Sequence, residues 1–411
     1  MAICVQKYGG TSMGDVELIQ NAARKVVAKV KEGFQVVVVV SAMAGETNRL
    51  LALADAIDPR ASARERDMLA SAGEQVSIGL MAIALQKIGQ ESISFTGPQV
   101  GIITDEVFGQ ARIKSIDSQK IRTHLDQGKV VVVAGFQGMS AVSGDITTLG
   151  RGGSDTSAVA LAAALKADEC EIYTDVEGVY TADPNVVPGA KKLERISYDE
   201  MLELASMGAK VLHHRSVEFA KKYNTPLHVR SSFTDKPGTW VVEEVENMEE
   251  LVISGVTSNT KEAKVSLIGV PDKPGVAAHL FDLIAQKNIL VDMIIQNVGQ
   301  SGLNDISFTV DKKTLPDVLD MQDVFTKEIG AQKIVTKKDI AKISVVGVGM
   351  RSHCGVAARM FSTLAKQGIN IHSISTSEIK ISCLIDEDKA KPAVRALCQE
   401  FNLTDEDLSM E

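Results

Sequence analysis

Hydrophobic and polar positions follow two rhythms over about the first 240 residues. "AICVQKYGG" is a short apolar run ending in glycines, and "VELIQNAARKVVAKVKEG" has apolar residues at helical spacing and closes on Gly33. "FQVVVVVSAMAGETNRLLALA" passes from a β-branched run through a polar turn into a helix. An unbroken valine run predicts a strand covered on both faces, hence a parallel sheet. "ARERDMLASAGEQVSIGLMAIALQKIG" predicts one long helix, with the strand "SISFTG" after it. "KVVVVAGFQG" predicts a further buried strand that leads to "TTLGRGGSDTSAVALAAALKA" at 147–167. "ECEIYTDVEGVYTADP" reads as a strand running into a turn, "DEMLELASMGAKVLHHRSVEFAKKYN" as helical and "PLHVRSSF" as a strand. This alternation predicts a three-layer α/β domain over residues 1–245.

From about Met248 the texture changes. "AKVSLIGV" at 263–270 recurs as "AKISVVGV" at 341–348, and "GVAAHLFDLIAQKNILVDMI" at 275–294 recurs as "GVAARMFSTLAKQGINIHSI" at 355–374. Self-similarity at this spacing predicts two copies of one supersecondary unit. Each reads strand, turn, helix, strand, strand, helix. The first copy ends on a further strand, "AQKIVT", whereas the second ends on "FNLTDEDLSME", a poor strand. The spare strand "LVISGV" at 251–256 is expected to complete the second sheet; the alternative is a plain linker. The predicted α+β units are therefore 264–337, and 249–263 with 338–411, interlocked.

Composition narrows the classes. The chain has 411 residues with 45 % hydrophobic and 24 % charged, as a soluble multi-domain protein would have. A net charge of −9 argues against nucleic acid as a partner. The five cysteines are scattered, no pair has metal-ligand spacing, and a cytoplasmic location is expected. No run of about 20 apolar residues predicts a membrane span.

Ligands of α/β folds collect at the carboxyl ends of strands. There the chain places Lys7, Gly9, Gly10, Thr11 and Ser12, then Ser41, Gly45 and Thr47, then the Arg151 to Asp155 loop, then Thr174, Asp175 and Tyr180. Glycines ahead of a helix let its free N–H groups approach an anion, and Arg151 adds a fork suited to a carboxylate or phosphate. The plainer reading of that loop is a turn with Ser154 or Asp155 as an N-cap. No Walker sequence, "GxGxxG" after the first strand or "GxSxG" elbow is present. His213 and His214 are adjacent on a helix, which suits packing or surface roles better than a metal pair. A site rich in cations and N–H donors, without an evident general base, fits phosphoryl transfer. A carboxylate acceptor is already ionised near neutral pH and needs no base.

The motifs "KYGGTS", "VVVSAMAGETNRLL", "TLGRGGSDTSA", "YTDVEGVYTADP" and "GAKVLH", in that order, resemble the aspartokinases, of amino-acid-kinase (carbamate-kinase-like) fold. The repeat resembles their paired ferredoxin-like ACT domains, and the likeness spans essentially the whole chain. It implies transfer of phosphate from MgATP to the side-chain carboxylate of L-aspartate, giving 4-phospho-L-aspartate on the way to lysine, threonine and methionine. By resemblance Lys7 would neutralise the moving phosphoryl group, and Gly9, Gly10 and Ser12 would serve the phosphates. Ser41 and Thr47 would lie along the substrate and phosphate path. Glu74, a carboxylate in an otherwise apolar helix, would take the α-ammonium of aspartate. Arg151 would pair with its α-carboxylate, with Gly152, Gly153, Ser154 and Asp155 orienting the reacting groups. Thr174, Asp175, Tyr180 and Asp183 would line the nucleotide pocket and Lys210 would reach ATP. Asn185 stands where some relatives carry an arginine. Mg²⁺ is implied by the polyphosphate, but no carboxylate cage is visible, so phosphates and water would hold it.

In the repeats, the likeness assigns Asp272, Gly275, Ala277 and Gln296 to an effector amino acid, with Asn370, Ile371, Ser377 and Glu378 at a paired ACT interface. Lysine, threonine or both would inhibit, and the chain would form a homo-oligomer through its ACT units. Some relatives make the regulatory half as a separate subunit, so a start at Met248 is a further expectation. Removing residues from 248 onward is expected to relieve feedback if the protein survives the cut. Two other readings stand beside this one: a glutamate or N-acetylglutamate kinase, and an amino-acid sensor with a dead kinase half. Glu74 argues against an acetylated amine, the two ACT units argue against both other kinases, and Lys7, Arg151 and Asp155 together argue against the sensor.

Overall fold

The computed structural model describes residues 1–206, 211–243, 252–298, 302–348, 350 and 355–405. Two compact units divide the chain: Met1–Val179 with Lys192–Asn247, and Tyr180–Lys191 with Met248–Glu411. The segment 180–191, inside the span 1–245 expected for the catalytic domain, groups with the second unit.

The first unit is built on an eight-stranded sheet. Its order is Arg195–Ser197, Thr239–Val242, Leu227–Ser231, Glu169–Thr174, Ile3–Tyr8, Gln35–Val40, Val130–Ala134, Ser92–Phe95. The valine run lies near the centre and pairs in parallel on both sides, with Val37 opposite both Val5 and Val131. One face, carrying Val36, Val38 and Val40, packs against the helices Val16–Lys31 and Ala72–Lys87 through Ile19, Val26, Ile78, Met81 and Leu85. The other face lies against Gly153–Leu165, a helix that is apolar almost all round because it is covered almost all round.

On the first face, alternate positions of the two central strands carry polar groups instead. The Glu171 carboxylate accepts from Gln6 Nε2 at 2.7 Å, Arg230 Nη1 at 2.9 Å and Tyr173 Oη at 3.2 Å, and Lys29 lies 3.9 Å away. Tyr8 and Tyr173 stack above it at 4.7 Å. The network gives a carboxylate that is 1 % exposed three hydrogen-bond donors, although Arg230 Nε is itself buried without a partner.

Two sequence expectations need correction. The long helix is two, Ala63–Ala70 and Ala72–Lys87. At the joint the Ser71 hydroxyl donates to the Met68 carbonyl, and the Ser71 carbonyl accepts from Gln137 Nε2, so side chains compete for the helical bonds. The strand Val130–Ala134 does not run straight into the glycine loop. The hairpin Gln137–Ser140 and Ile146–Thr148 intervenes, in a separate four-stranded sheet with Ile102–Thr104 and Ile113–Ile116.

The second unit holds two antiparallel four-stranded sheets. One runs Ile294–Val298, Leu303–Asp311, Glu262–Pro271, Lys333–Lys337; the other runs Val252–Asn259, Ile340–Val348, Lys380–Asp386, Ser373–Thr376. Val252–Asn259 thus precedes the first repeat in the chain but pairs within the sheet of the second, Val256 facing Val345. Leu251 and Met248 lie outside the described residues. Each sheet is covered by its helices, through Leu280, Ile284 and Phe325 in one and Met360, Leu364 and Leu397 in the other. The segment 180–191 inserts Ala182, Val187 and Ala190 into this last core. Thr181 Oγ1 donates to the Leu403 carbonyl at 2.7 Å, and Val256 N donates to the Thr181 carbonyl at 2.8 Å. Thr404, in the stretch expected to make a poor strand, forms only an isolated bridge with Ala190.

Candidate active site

Lys7 sits one residue from the end of the first strand and points to the face covered by Gly153–Leu165. Its ammonium lies 2.6 Å from the Asp155 carboxylate, in the first turn of that helix. Gly9 leaves the lysine its room: a Cβ there would come 3.2 Å from Lys7 Nζ. A Cβ on Gly10 would press on the Ala42 carbonyl at 3.2 Å. Ser12 begins to close the turn by donating its N–H to Gly9, but its hydroxyl is engaged with Ser232. The backbone of the turn, rather than the Ser12 hydroxyl, is therefore the part free to meet a phosphate.

The glycine loop is held from several sides. Gly150 and Gly152 both take left-handed backbone, at φ 74° and 66°. Gly152, not Ser154 or Asp155, is the N-cap residue, and no side chain caps the helix. The Gly153 N–H donates to the Gly150 carbonyl at 3.0 Å, so the open N–H groups of this helix start are those of Ser154 and Asp155. A Cβ on Gly153 would meet Phe136 at 2.8 Å, and Ser154 packs against Gly135 so closely that a Cβ there would lie 2.9 Å away. Asp67, buried, accepts from Thr148 N, Thr148 Oγ1 and Gly109 N at 2.7 to 2.8 Å. Arg151 itself is exposed and, among the described residues, has no ion-pair partner.

Glu74 lies in the first turn of Ala72–Lys87 and is 2 % exposed. Gly73 lets the helix approach the Ala42 turn; a Cβ there would stand 2.8 Å from Ala42 Cβ. One Glu74 oxygen accepts from Ala42 N at 3.1 Å, while Oε2 is buried with no partner. Burial pushes its carboxyl up to about 7, against the smaller opposing pull of the Ala42 amide. Ser41, half-buried, is next to Ala42, and Gly135 N donates to the Val40 carbonyl. Through Val40 to Ala42 on one side and Gly135 to Ser154 on the other, one strand end carries both an unpaired carboxylate and the glycine loop. Thr47, half-buried, is the second residue of the neighbouring helix Glu46–Ile57.

The nucleotide residues are less unified. Thr174 ends its strand, and its hydroxyl donates to the exposed Asp175 at 3.1 Å. Tyr180, Asp183 and Asn185 belong to the second unit, where Tyr180 packs on its core and Asp183 accepts from Asn185 N and Nδ2. Lys210 lies outside the described residues. In the first repeat Asp272 accepts from Asn304 Nδ2 at 2.8 Å, Gly275 is the left-handed N-cap of Val276–Gln286, Ala277 is in its first turn, and Gln296 lies exposed on an edge strand. In the second, Asn370 and Ile371 precede the edge strand Ser373–Thr376, while Ser377 and Glu378 form the turn after it. Asp67, Arg215 and Asn304 escaped the sequence reading, and His213, read there as packing, stands against the glycine loop.

One group of described residues has metal-ligand spacing, Glu169, Glu171 and His228. Lys29 pairs with both carboxylates, Arg230 with Glu171, and burial together with Arg230 pushes His228 down to about 4. Its charge is already balanced by cations, so it does not fit a resident metal. At the strand ends Asp155 is committed to Lys7, so Mg²⁺ would have to be held by polyphosphate and water.

A glycine turn, a lysine–aspartate pair and a glycine-flanked arginine at the strand ends of a mostly parallel α/β sheet suit a phosphotransferase of the amino acid kinase class. Residues 2–231 match the amino acid kinase family, and 265–321 and 343–401 each match the ACT domain. The chain is 54 % identical to the aspartate kinase of Pseudomonas putida over 98 % of both chains, and 48 % identical to the aspartokinase of Corynebacterium glutamicum over 99 % and 98 %. Its structure is similar to that of E. coli aspartokinase III with aspartate and ADP (R-state), at a TM-score of 0.81, 28 % identity and coverage of 97 % and 100 %. The chain belongs to the aspartate kinases, phosphotransferases that here carry a tandem pair of ACT domains.

Proposed function

We propose that the protein phosphorylates the β-carboxylate of L-aspartate with MgATP, forming 4-phospho-L-aspartate and ADP, the first step toward lysine, threonine and methionine. The observation that carries this is the unpaired Glu74 Oε2, buried beside the strand end that also bears the glycine loop. A carboxylate so placed needs a cation, and an α-ammonium supplies one. Arg151, exposed and without an ion-pair partner among the described residues, takes the α-carboxylate, so the pocket reads both ends of an amino acid. Lys7, fixed by Asp155, neutralises the transferring phosphoryl group, and the Gly9–Gly10 turn and the open amides of Ser154 and Asp155 hold phosphate oxygens. Mg²⁺, when bound to the polyphosphate, supplies further charge neutralisation. Thr174 and Asp175, with Tyr180, Asp183, Asn185 and Lys210, serve the nucleotide. A related structure contains lysine and aspartate in a T-state. That supports feedback by lysine; the reading extends it to lysine, threonine or both, acting through Asp272, Gly275, Ala277 and Gln296. The open edge strands 294–298 and 373–376, the latter flanked by Asn370, Ile371, Ser377 and Glu378, suit ACT-to-ACT pairing into a homo-oligomer. The described cysteines Cys4, Cys170, Cys383 and Cys398 are free and buried, which supports a reducing cytoplasm. An ADP-coupled assay with aspartate, glutamate and N-acetylglutamate, each with and without lysine and threonine, tests the reading. Turnover on glutamate but not on aspartate would overturn it.

A further inference from the structure

Arg151 has a free side chain on a backbone that is gripped on both sides. The residue before Gly150 is held by Arg215, whose Nη1 donates to the Leu149 carbonyl while Nη2 donates to the Ala111 carbonyl at 2.9 Å. The residue after Arg151 is held by His213: a Cβ on Gly152 would fall 2.2 to 2.6 Å from the imidazole ring, which therefore lies directly on the glycine. His213 and Arg215 are two residues apart at the start of the helix His214–Tyr223. The grip is anchored in turn. The His213 carbonyl accepts from Ser216 N and Ser216 Oγ at 2.9 and 2.6 Å, and its ring packs on His214 at 4.5 Å.

Neither residue is accounted for by the interactions such side chains usually make. Arg215 is partly buried, yet among the described residues no carboxylate lies within ion-pair distance of it. Its bonds go to two carbonyls, and the planar fork is suited to holding two acceptors at once. His213 Nδ1 is buried with no partner, a cost that ring contact with the loop must outweigh. Thr148 is fixed independently by Asp67, so the loop is set at 148, 149 and 152, with only the Arg151 side chain left to move.

We propose that His213 and Arg215 are positioning residues, a two-point clamp from one helix start that fixes the direction from which Arg151 meets the substrate carboxylate. This rests on the assignment of Arg151 to aspartate. A misplacement of about 1 Å at such a group is worth up to about a hundredfold in rate. The clamp should therefore act on aspartate and spare the nucleotide.

The test is steady-state kinetics on full-length His213→Ala, Arg215→Ala and Arg151→Ala and on the doubles with Arg151→Ala. His213→Asn and Arg215→Lys are carried alongside, and melting temperatures are recorded for all. The clamp predicts that each single loosening raises the KM for aspartate about tenfold and leaves the KM for ATP within about twofold. It also predicts little further change when either is added to Arg151→Ala. Gly152→Ala should behave like His213→Ala, and His213→Ala should partly rescue it by removing the clash. Unchanged aspartate KM in folded His213 and Arg215 variants overturns the clamp, as do equal rises for both substrates or full additivity with Arg151→Ala. An Arg151→Ala enzyme with normal aspartate KM overturns the loop's assignment itself, and the clamp with it.

Discussion

Lys7 Nζ lies 2.6 Å from Asp155, and the two side chains are 11 % and 13 % exposed. A pair this enclosed is costly to desolvate, and removing one member leaves the other charge unmet. In the proposed reaction its position at a strand end has a use: Asp155 would hold the ammonium at the phosphoryl path. Lys7→Met should lower kcat by about 10²- to 10³-fold, the usual loss for one charge-stabilising group. Nucleotide binding should largely persist. Adding Asp155→Asn should recover melting temperature but not turnover. Activity near wild type in Lys7→Met, measured by coupled ADP release, would remove Lys7 from the mechanism.

Glu74 gives the site a pH dependence with a definite sign. Its folded carboxyl is raised to about 7 from 4.5. Between those values the native state holds a proton that the unfolded chain has released, so stability without substrate falls as pH rises through that window. The whole effect is at most about 3 kcal/mol. In the proposed reading aspartate pairs with the ionised form, so its KM should rise as pH drops below about 7, approaching tenfold per unit. Glu74→Gln should flatten that profile, raise the KM at pH 8 and raise the melting temperature of the substrate-free protein at pH 8. A profile unchanged by the substitution would sink the ammonium assignment.

What the chain disclosed in advance follows from where the information lies. Lys7, Glu74 and Arg151 were legible because each breaks a local pattern: a charge at an apolar strand end, a carboxylate in an apolar helix, a cation between glycines. Asp67, His213 and Arg215 were not, because they act on backbone groups 42 to 104 residues away or through ring contact, which leaves no trace beside them. The strand 251–256 could be placed in the second sheet since the repeat lacked one; the route of 180–191 had no such vacancy to reveal it.

The Glu171 network should dominate the stability of the first unit. Burial pushes its carboxyl up, but the bonds from Arg230 and Gln6 outweigh this and hold it below the usual range. Its contribution is therefore present above the ordinary carboxylate range and lost as pH falls through the depressed value. Glu171→Ala would leave Arg230 facing a void while Lys29 keeps Glu169 and Glu32, at a cost of about 3–5 kcal/mol. Urea unfolding at pH 7 measures it; a loss under about 1 kcal/mol would show the network to be dispensable.

Gly79 offers a contrast. It sits mid-helix in Ala72–Lys87, and a Cβ there would meet nothing within 4 Å. No internal packing requires the glycine, so Gly79→Ala should stabilise the monomer by about 0.5–1 kcal/mol through helix propensity and unfolded-state entropy. Thermal unfolding checks this, and a loss of stability would mean that the open side is occupied in solution.

Truncation at 248 looked from the sequence like a route to a feedback-free kinase. The structure predicts otherwise. Ala182, Val187 and Ala190 are buried in the core made by Val345, Met360, Leu364 and Leu397, and Thr181 is bonded to Leu403 and Val256. Cutting the chain exposes those apolar side chains and removes the partners of the segment that carries Tyr180, Asp183 and Asn185. A 1–247 fragment should therefore aggregate or bind ATP at least about tenfold more weakly, rather than turn over free of control. Point changes should separate the two properties. Asp272→Ala removes one partner of Asn304 at an exposed turn, so it should weaken effector response while leaving kcat and the KM for ATP near wild type. A soluble fragment 1–247 with normal ATP affinity would show that 180–191 keeps its shape without the second core.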